Sequence, residues 1–441
     1  MAKVAFHTFG CRANQYDTEM MKEELSGTAA ALLELVPDDT EADIYVVNTC
    51  TVTRRAEYKA RQYIRNKAKR NGGLILVTGC YADVAPEEVA QVEGVDIVFG
   101  NQHKTQILEI IRRALRGERG VIYNGAFGGR DLNSERISRD TTHNVRAFVK
   151  IQDGCSQFCT FCKTVYARGL PSSKSLENIV SEVRTLVEHG FKEIVLTGIN
   201  LAQYSAGSAN LTRVLEAVAK IEGLERIRLS SLNLAGVTRD LVELFAQNEK
   251  ACPHFHIPLQ SGDDEILKKM RRGYTTQQYK EVANLIKERV RNATLGTDIL
   301  VGFPGETEKH FENTCRFVEE IGFANVHIFR YSERPGTAAH LFKEQIDGTT
   351  KQERARKLKK IATQSARKIK QSFVGQELQV LVEERADNGR WRGYSENYLD
   401  VQLYDEKQLQ PGQIVKVKIQ EARKDYLLGV MSVCQNPAKR H

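Results

Sequence analysis

Three cysteines crowd the run DGCSQFCTFC, at Cys155, Cys159 and Cys162. The spacing C-x3-C-x2-C supplies three thiolates and no fourth. A structural zinc site closes on four ligands. A cubane iron–sulfur cluster has four irons, so three thiolates leave one iron open to a substrate or cofactor. An open iron on a short loop is a place for chemistry, beyond any part it plays in folding.

A second set, Cys11, Cys50 and Cys80, is dispersed in sequence but placed alike. Each lies just past a predicted strand, in FHTFGC, VVNTC and LVTGC. The gaps match strand–helix–strand units. In a parallel sheet those three ends share one edge, where open α/β sheets bind their ligands. Taken singly, each would also fit a buried cysteine of no special role. Their identical placement argues for convergence. Cys252, Cys315 and Cys434 have no ligand partner at a recognisable spacing and read as structural.

The elements that must position these thiols follow from apolar periodicity. Over residues 1–117, strands at Val4–Phe9, Ile44–Asn48, Leu74–Thr78 and Ile97–Phe99 alternate with helices. One of these helices is expected from Asp17 to Leu35. This alternation predicts an α/β, flavodoxin-like parallel sheet. Residues 118–144 read as a linker. Over 145–348, six strand–helix units predict a partial (βα)6 barrel with its site at the carboxyl ends of the strands. The strands are Phe148–Ile151, Ile194–Leu196, Ile227–Leu229, Phe255–Ile257, Leu295–Val301 and Val326–Phe329. Residues 349–372 form a basic helical linker with one apolar stripe at Leu358, Ile361, Ala362 and Ile369. Residues 373–435 read as a small all-β barrel.

The chain has 441 residues and a formal net charge of +8, which permits a polyanionic partner without demanding one. The start MAKVAFHTFGC lacks signal-peptide features, and no apolar run approaches the roughly 20 residues that span a bilayer. A cytoplasmic protein without a membrane partner is expected. There, nine cysteines point to metal or redox chemistry rather than disulfides.

The Cys155–Cys162 spacing, with Phe161 before the third cysteine, resembles that of radical S-adenosylmethionine (SAM) enzymes. TFGCRANQYDTE, VVNTCTVTRRA and TGCYA closely resemble the N-terminal domain of the methylthiotransferases within that superfamily. The resemblance implies two 4Fe-4S clusters, one on Cys155, Cys159 and Cys162 and one on Cys11, Cys50 and Cys80. It also implies a SAM site drawn from IVLTGIN (Gly198, Asn200), IRLSSLN (Ser230, Ser231), HIPLQSG (Gln260) and GTDILVGFPGET (Asp298, Gly302). Ser230 and Asp298 would equally serve as simple caps. Four such runs in order behind the cysteine motif strengthen the likeness. Lys163, Pro171, Lys174 and Arg330 depart from the family pattern, and Asp83 stands where glutamine is frequent.

RWRGYSENYLDV (Arg390–Val401) resembles a TRAM domain, an RNA-binding barrel, with Trp391, Tyr394 and Tyr398 interleaved with Arg390 and Arg392. Aromatic rings stack on bases and arginines meet phosphates, although at least one of these rings is expected to pack inside the barrel. The wording of KVAFHTFGC, NTCTVTRRA, HFHIPLQSG and MRRGYT is most similar to family members that methylthiolate N6-threonylcarbamoyladenosine at position 37 of tRNA. The implied reaction uses two SAM per turnover: one methylates sulfur at the N-terminal cluster, and one yields the radical that abstracts hydrogen from C2 of the adenine, where the methylthio group then joins. The implied partners are a tRNA anticodon loop, a reductant protein such as flavodoxin or ferredoxin, and a sulfur donor, with the chain acting as a monomer. No protein nucleophile or acid–base dyad is apparent beyond the cluster cysteines, and this chemistry needs none. Within the same class, isopentenyladenosine in tRNA or a ribosomal-protein aspartate is the alternative substrate. In a different class, the chain would be a non-catalytic RNA-binding metal-cluster protein, which the missing fourth ligands disfavour.

Overall fold

The computed structural model of the chain describes residues 1–28, 32–123, 130–138, 145–404 and 409–432. Cys434 lies outside them, as does part of the expected linker.

The first unit carries β1 (Ala2–Thr8), α1 (Arg12–Thr28), β2 (Leu33–Val36), β3 (Ile44–Thr49), α2 (Arg54–Asn71) and β4 (Leu74–Gly79). It continues through α3 (Cys80–Val84), α4 (Pro86–Ala90), β5 (Ile97–Phe99), α5 (Ile107–Leu115) and β6 (Val121–Tyr123). The strands form one parallel sheet in the order β2-β1-β3-β4-β5-β6. β3, at the centre, is buried along its whole length. Its residues alternate between two cores, as a pleated strand requires. Ile44 and Val46 join Tyr16, Met20 and Met21 of α1 on one face, and Tyr45 and Val47 join Ile64 of α2 on the other.

Two expectations change here. The helix expected over Asp17–Leu35 starts at Arg12 and ends by Thr28, and Leu33–Val36 is an edge strand. Four residues are too few to show a period of their own, so they read as the helix continuing. The linker region also contributes a strand, β6, paired to β5.

The second unit opens with β7 (Arg146–Lys150), the short strands β8 (Gln152–Asp153) and β9 (Ser172–Ser173), α6 (Thr164–Arg168), α7 (Leu176–Glu188) and β10 (Glu193–Thr197). It continues with α8 (Leu211–Ala219), β11 (Arg226–Leu229), α9 (Arg239–Gln247), β12 (His254–His256), α10 (Asp264–Met270) and α11 (Thr276–Arg289). Finally come β13 (Thr294–Val301), α12 (Glu308–Ile321), β14 (Asn325–Arg330) and α13 (Gly348–Ser372). The six long strands are parallel, in two three-stranded sheets, β11-β10-β7 and β12-β13-β14. A single bridge between Ile227 and Ala251 leads from one sheet toward the other. This is the expected open barrel.

A third unit, β15 (Glu377–Arg385), β16 (Trp391–Ser395), β17 (Asp400–Leu403), β18 (Ile414–Ala422) and β19 (Leu427–Met431), closes into a five-stranded barrel. Trp391 is buried in its core with Val380, Val401 and Val417.

The units are packed together. One continuous apolar core runs from α1 and α5 into Ala147, Val149 and Ile151 of the second unit. Beside it lies a buried charge network. Asp17 of α1 is paired with Lys104 at 2.7 Å, Arg168 at 2.9 Å and Lys150. Lys174, one of the departures from the family pattern, is fully buried and pairs with Glu182 and Tyr16. The third unit hangs on Arg226 and Arg228 of β11. They donate to the backbone oxygens of Gln379, Tyr394, Ser395 and Glu396, while Glu193 neutralises them.

Candidate active site at the junction of three units

β1, β3 and β4 are neighbours in the sheet and end in register, with Thr8 opposite Asn48 and Asn48 opposite Thr78. Cys11, Cys50 and Cys80 therefore emerge at one edge. Gly10 has a φ of +106°, and a Cβ there would lie 2.9 Å from the Cys50 Cβ and 3.1 Å from its Sγ. Only glycine lets this turn close against Cys50. Burial, with Cys80 and Cys11 nearby, pushes the Cys50 thiol up to about 12. Burial also raises the Cys80 thiol, against the opposing pull of Arg168. The Arg168 guanidinium donates through Nε to the Cys80 Sγ at 3.3 Å. A second arginine of the core, Arg334, donates to the Thr51 carbonyl and hydroxyl and pairs with Glu57, next to Cys50.

Cys155, Cys159 and Cys162 share the loop between β8 and α6. Gly154 turns into it with φ +74°, where a Cβ would meet the Leu170 carbonyl oxygen at 2.1 Å. The Cys162 amide donates to the Cys159 carbonyl at 3.0 Å, and the Thr164 amide reaches the Cys162 sulfur at 3.4 Å. Arg272 donates to the Cys159 sulfur at 3.4 Å, and Asn200 to the Cys155 sulfur at 3.7 Å. Burial raises the Cys155 and Cys162 thiols. In each trio the sulfurs lie in one another's field and receive N–H donors, an environment that suits thiolates ligating a cluster.

A cavity of about 690 Å³ joins the three units. It is lined by Cys11 and Arg12 of the first, by Gly198, Ser230, Ser231 and Asp298 of the second, and by Tyr394 and Tyr398 of the third. A larger groove of about 850 Å³, at Arg291, Glu377 and Lys416, carries none of the cysteines or cofactor candidates. The Ser230 hydroxyl and the Asn200 side-chain oxygen are buried, and neither has a hydrogen-bond partner among the described residues. Buried polar atoms left unpaired are costly and point to a missing ligand. Their position beside Cys155 and in the cavity fits the polar groups of SAM.

Phe161 packs edge-to-face on Phe303 and lines an adjoining cavity of about 150 Å³ with Gln260, Asp298 and Val52. Gly302 lines neither cavity. Its amide donates to Glu306 at 2.6 Å, and a Cβ would strike Lys351 of α13.

Sequence reasoning missed several residues of this site. Asp298 Oδ1 accepts from His256 at 3.0 Å and from His327 at 3.1 Å. Burial pushes the Asp298 carboxyl up, but these two histidines hold it well below the usual carboxylate range. His254 and His256 of β12 both line the cavity, as does His327. Burial keeps His254 neutral, reinforced by Arg228. Tyr394 and Tyr398 stack on each other at 4.9 Å and form the cavity wall, so they are not an open platform on the barrel. Arg390 lies over Tyr404, and Arg392 pairs with Asp400 and Glu384. Cys252 and Cys315 are buried, as expected of structural thiols.

Three sequence profiles match in chain order: Uncharacterized protein family UPF0004 over residues 3–100, the radical SAM superfamily over 149–318 and the TRAM domain over 371–431. A threonylcarbamoyladenosine tRNA methylthiotransferase MtaB of Aquifex aeolicus is 41% identical over 423 residues, covering 95% of this chain and 100% of that protein. The chain belongs to the radical SAM methylthiotransferase family. MtaB of Bacillus subtilis is 37% identical, over 97% of this chain and 95% of that protein. Another family member, the tRNA-2-methylthio-N(6)-dimethylallyladenosine synthase of Pelotomaculum thermopropionicum, is 34% identical over 98% of each. Among solved structures, the radical SAM methyltransferase TsrM of Kitasatospora setae aligns with a TM-score of 0.59 at 15% identity, over 77% of each chain, which supports the fold.

Proposed function

We propose that this chain methylthiolates C2 of N6-threonylcarbamoyladenosine at position 37 of tRNA, using SAM and two 4Fe-4S clusters. The carrying observation is that Cys11 of the first trio lines the same cavity as Gly198, Ser230, Ser231 and Asp298 of the barrel. Sulfur handled at one trio and a radical generated at the other would thus meet over one shared cavity.

In this reading Cys11, Cys50 and Cys80 hold one cluster, and Cys155, Cys159 and Cys162 the other. When bound, the clusters and SAM supply one-electron cleavage to a 5′-deoxyadenosyl radical and a methylthio group for carbon. The protein supplies position. Asn200 and Arg272 hold sulfurs of the second trio, and Arg168 holds one of the first. Gly198, Asn200, Ser230, Ser231, Gln260 and Asp298 orient SAM. The cavity beside Tyr394 and Tyr398 would receive a flipped-out adenine, since chemistry on a base requires it to leave its stack. Helix α13 turns Arg356, Lys359, Lys360, Arg367 and Lys368 to the surface, where they can meet phosphates of the anticodon arm.

No helix among the described residues is long and apolar enough to cross a membrane. A cytoplasmic monomer served by a reductant protein such as flavodoxin or ferredoxin, and by a sulfur donor, completes the reading. The test is the nucleoside profile of tRNA from cells lacking this chain and from complemented cells, read by mass spectrometry. The threonylcarbamoyl nucleoside gains its methylthio group only when the chain is present, and the reading fails if it never does. Anaerobic reconstitution should give about eight irons per chain and SAM cleavage to 5′-deoxyadenosine. Bound zinc without cleavage would make the protein a non-catalytic binder.

A further inference from the structure

Among the described residues, Arg12 is a cation without a counter-ion at the point where the three units meet. It directly follows Cys11, lines the 690 Å³ cavity and lies over the rings of Phe148 and Tyr398. Its Nη2 donates to the Tyr398 hydroxyl at 2.6 Å. Arg146 and Arg228 also face the Tyr398 ring, yet both share Glu193, and Arg146 takes Glu383 as well. Among the described residues no carboxylate pairs with Arg12, and its side chain makes no other hydrogen bond. A guanidinium carries five N–H donors, so four are left. Of the acids lining the cavity, Asp298 is engaged by His256 and His327, Asp400 by Arg392, and Asp425 lies in the field of Lys370.

A half-buried guanidinium lying over two aromatic rings, with four of its five N–H donors free, suits a planar anion. Resting on the substrate reading above, we propose that Arg12 binds the carboxylate of the N6 substituent and so selects a threonylcarbamoyl-type base over one bearing a neutral isoprenoid. Tyr398 is the positioning residue that aims the guanidinium. The neutral His254, tilted against Tyr398 with ring centroids 5.0 Å apart, adds no competing charge.

The test uses the full chain with both clusters reconstituted anaerobically. It binds anticodon stem-loop RNAs that differ only at the target adenosine: threonylcarbamoylated, isopentenylated or unmodified. The wild type should prefer the threonylcarbamoyl RNA. Arg12→Gln should shrink that preference about tenfold or more, the scale of a lost charge-assisted hydrogen bond, while Arg12→Lys keeps part of it. Tyr398→Phe should weaken the preference a few-fold, as expected for one neutral hydrogen bond; it carries the test if Arg12→Gln loads less iron. Equal weakening of all three RNAs, with a shallower salt dependence, would make Arg12 a phosphate contact and overturn the proposal. A raised KM for SAM in RNA-free cleavage, with RNA preference intact, would assign Arg12 to the SAM carboxylate and overturn it too. Methylthiolation by the wild type is followed in parallel. If the threonylcarbamoyl RNA is never modified, the substrate reading falls; if it is modified and Arg12→Gln keeps full preference, the Arg12 assignment alone falls.

Discussion

Cys155, Cys159 and Cys162 sit on one loop, whereas Cys11, Cys50 and Cys80 sit at the ends of three neighbouring strands. The loop trio is assembled locally, and its donors Asn200 and Arg272 come from the same barrel. The strand-end trio exists only once β1, β3 and β4 are paired in register. It is also finished from outside, because Arg168 and Arg334 reach it from the neighbouring unit. Arg168 stands on α6, directly after the loop trio, so one short helix supports both centres. The difference predicts that the loop trio tolerates insults to domain docking and the strand-end trio does not.

Removing a ligand from either trio should have the largest effect and should separate the two centres. Cys155→Ala is expected to abolish SAM cleavage. Cys50→Ala should leave cleavage in place and abolish methylthiolation. Each variant should keep about half the iron of the parent if, as proposed, each trio holds one four-iron cluster. The measurements are iron content, 5′-deoxyadenosine release and the tRNA nucleoside profile. Loss of both activities in both variants would mean that the centres are not independent.

Arg168→Ala tests the dependence on docking. It leaves the buried Asp17 and Asp153 short of a partner and removes the donor on Cys80. Breaking a buried ionic network by deleting one member costs about 3–5 kcal/mol. The denaturation midpoint should fall, and iron should be lost first from the strand-end trio. Full iron loading with an unchanged midpoint would show that trio to be self-sufficient.

How much of this was legible depends on whether the signal was local. The C-x3-C-x2-C run needs no fold to be read. The strand ends behind Cys11, Cys50 and Cys80 were legible because buried parallel strands are continuous apolar runs, such as IYVV. Leu33–Val36 was not, because it follows a helix and is too short to show its own period. Arg12, Arg168 and His327 were invisible for another reason. Their partners Tyr398, Cys80 and Asp298 are far away in sequence, and no spacing rule links them. Trp391 and Tyr394 show the same limit. Both are aromatic residues of one strand, but which ring faces the barrel core and which the cavity depends on how the barrel docks on Arg226 and Arg228.

That docking carries a pH signature. Burial pushes the Glu193 carboxyl up, but Arg228, with Arg146 and Arg226, outweighs it and holds it at about 2, against an ordinary 4.5. A carboxyl lowered by folding adds stability that is complete above the unfolded value of 4.5 and is lost as pH falls through 2. The gap corresponds to about 3 kcal/mol at neutral pH. The stability difference between wild type and Glu193→Gln should therefore be constant from pH 7 to about 4.5 and shrink below. A difference that does not change with pH would mean that the arginines find other acceptors.

The smallest effect is expected at Tyr16, next to Asp17 on α1. The Tyr16 hydroxyl donates to Glu182 at 2.9 Å and accepts from Lys174 at 2.8 Å. Burial, with Glu182 and Glu135 nearby, pushes its ionisation far up, so it stays a neutral donor. Tyr16→Phe removes both hydrogen bonds but leaves the Lys174–Glu182 pair and the apolar ring in place. The cost should be about 1–2 kcal/mol, with iron content unchanged. If it instead equals the cost of Arg168→Ala and strips iron from the strand-end trio, the first unit is held by α1 as a whole. Arg168 would then lose its special claim as the strut between the two centres.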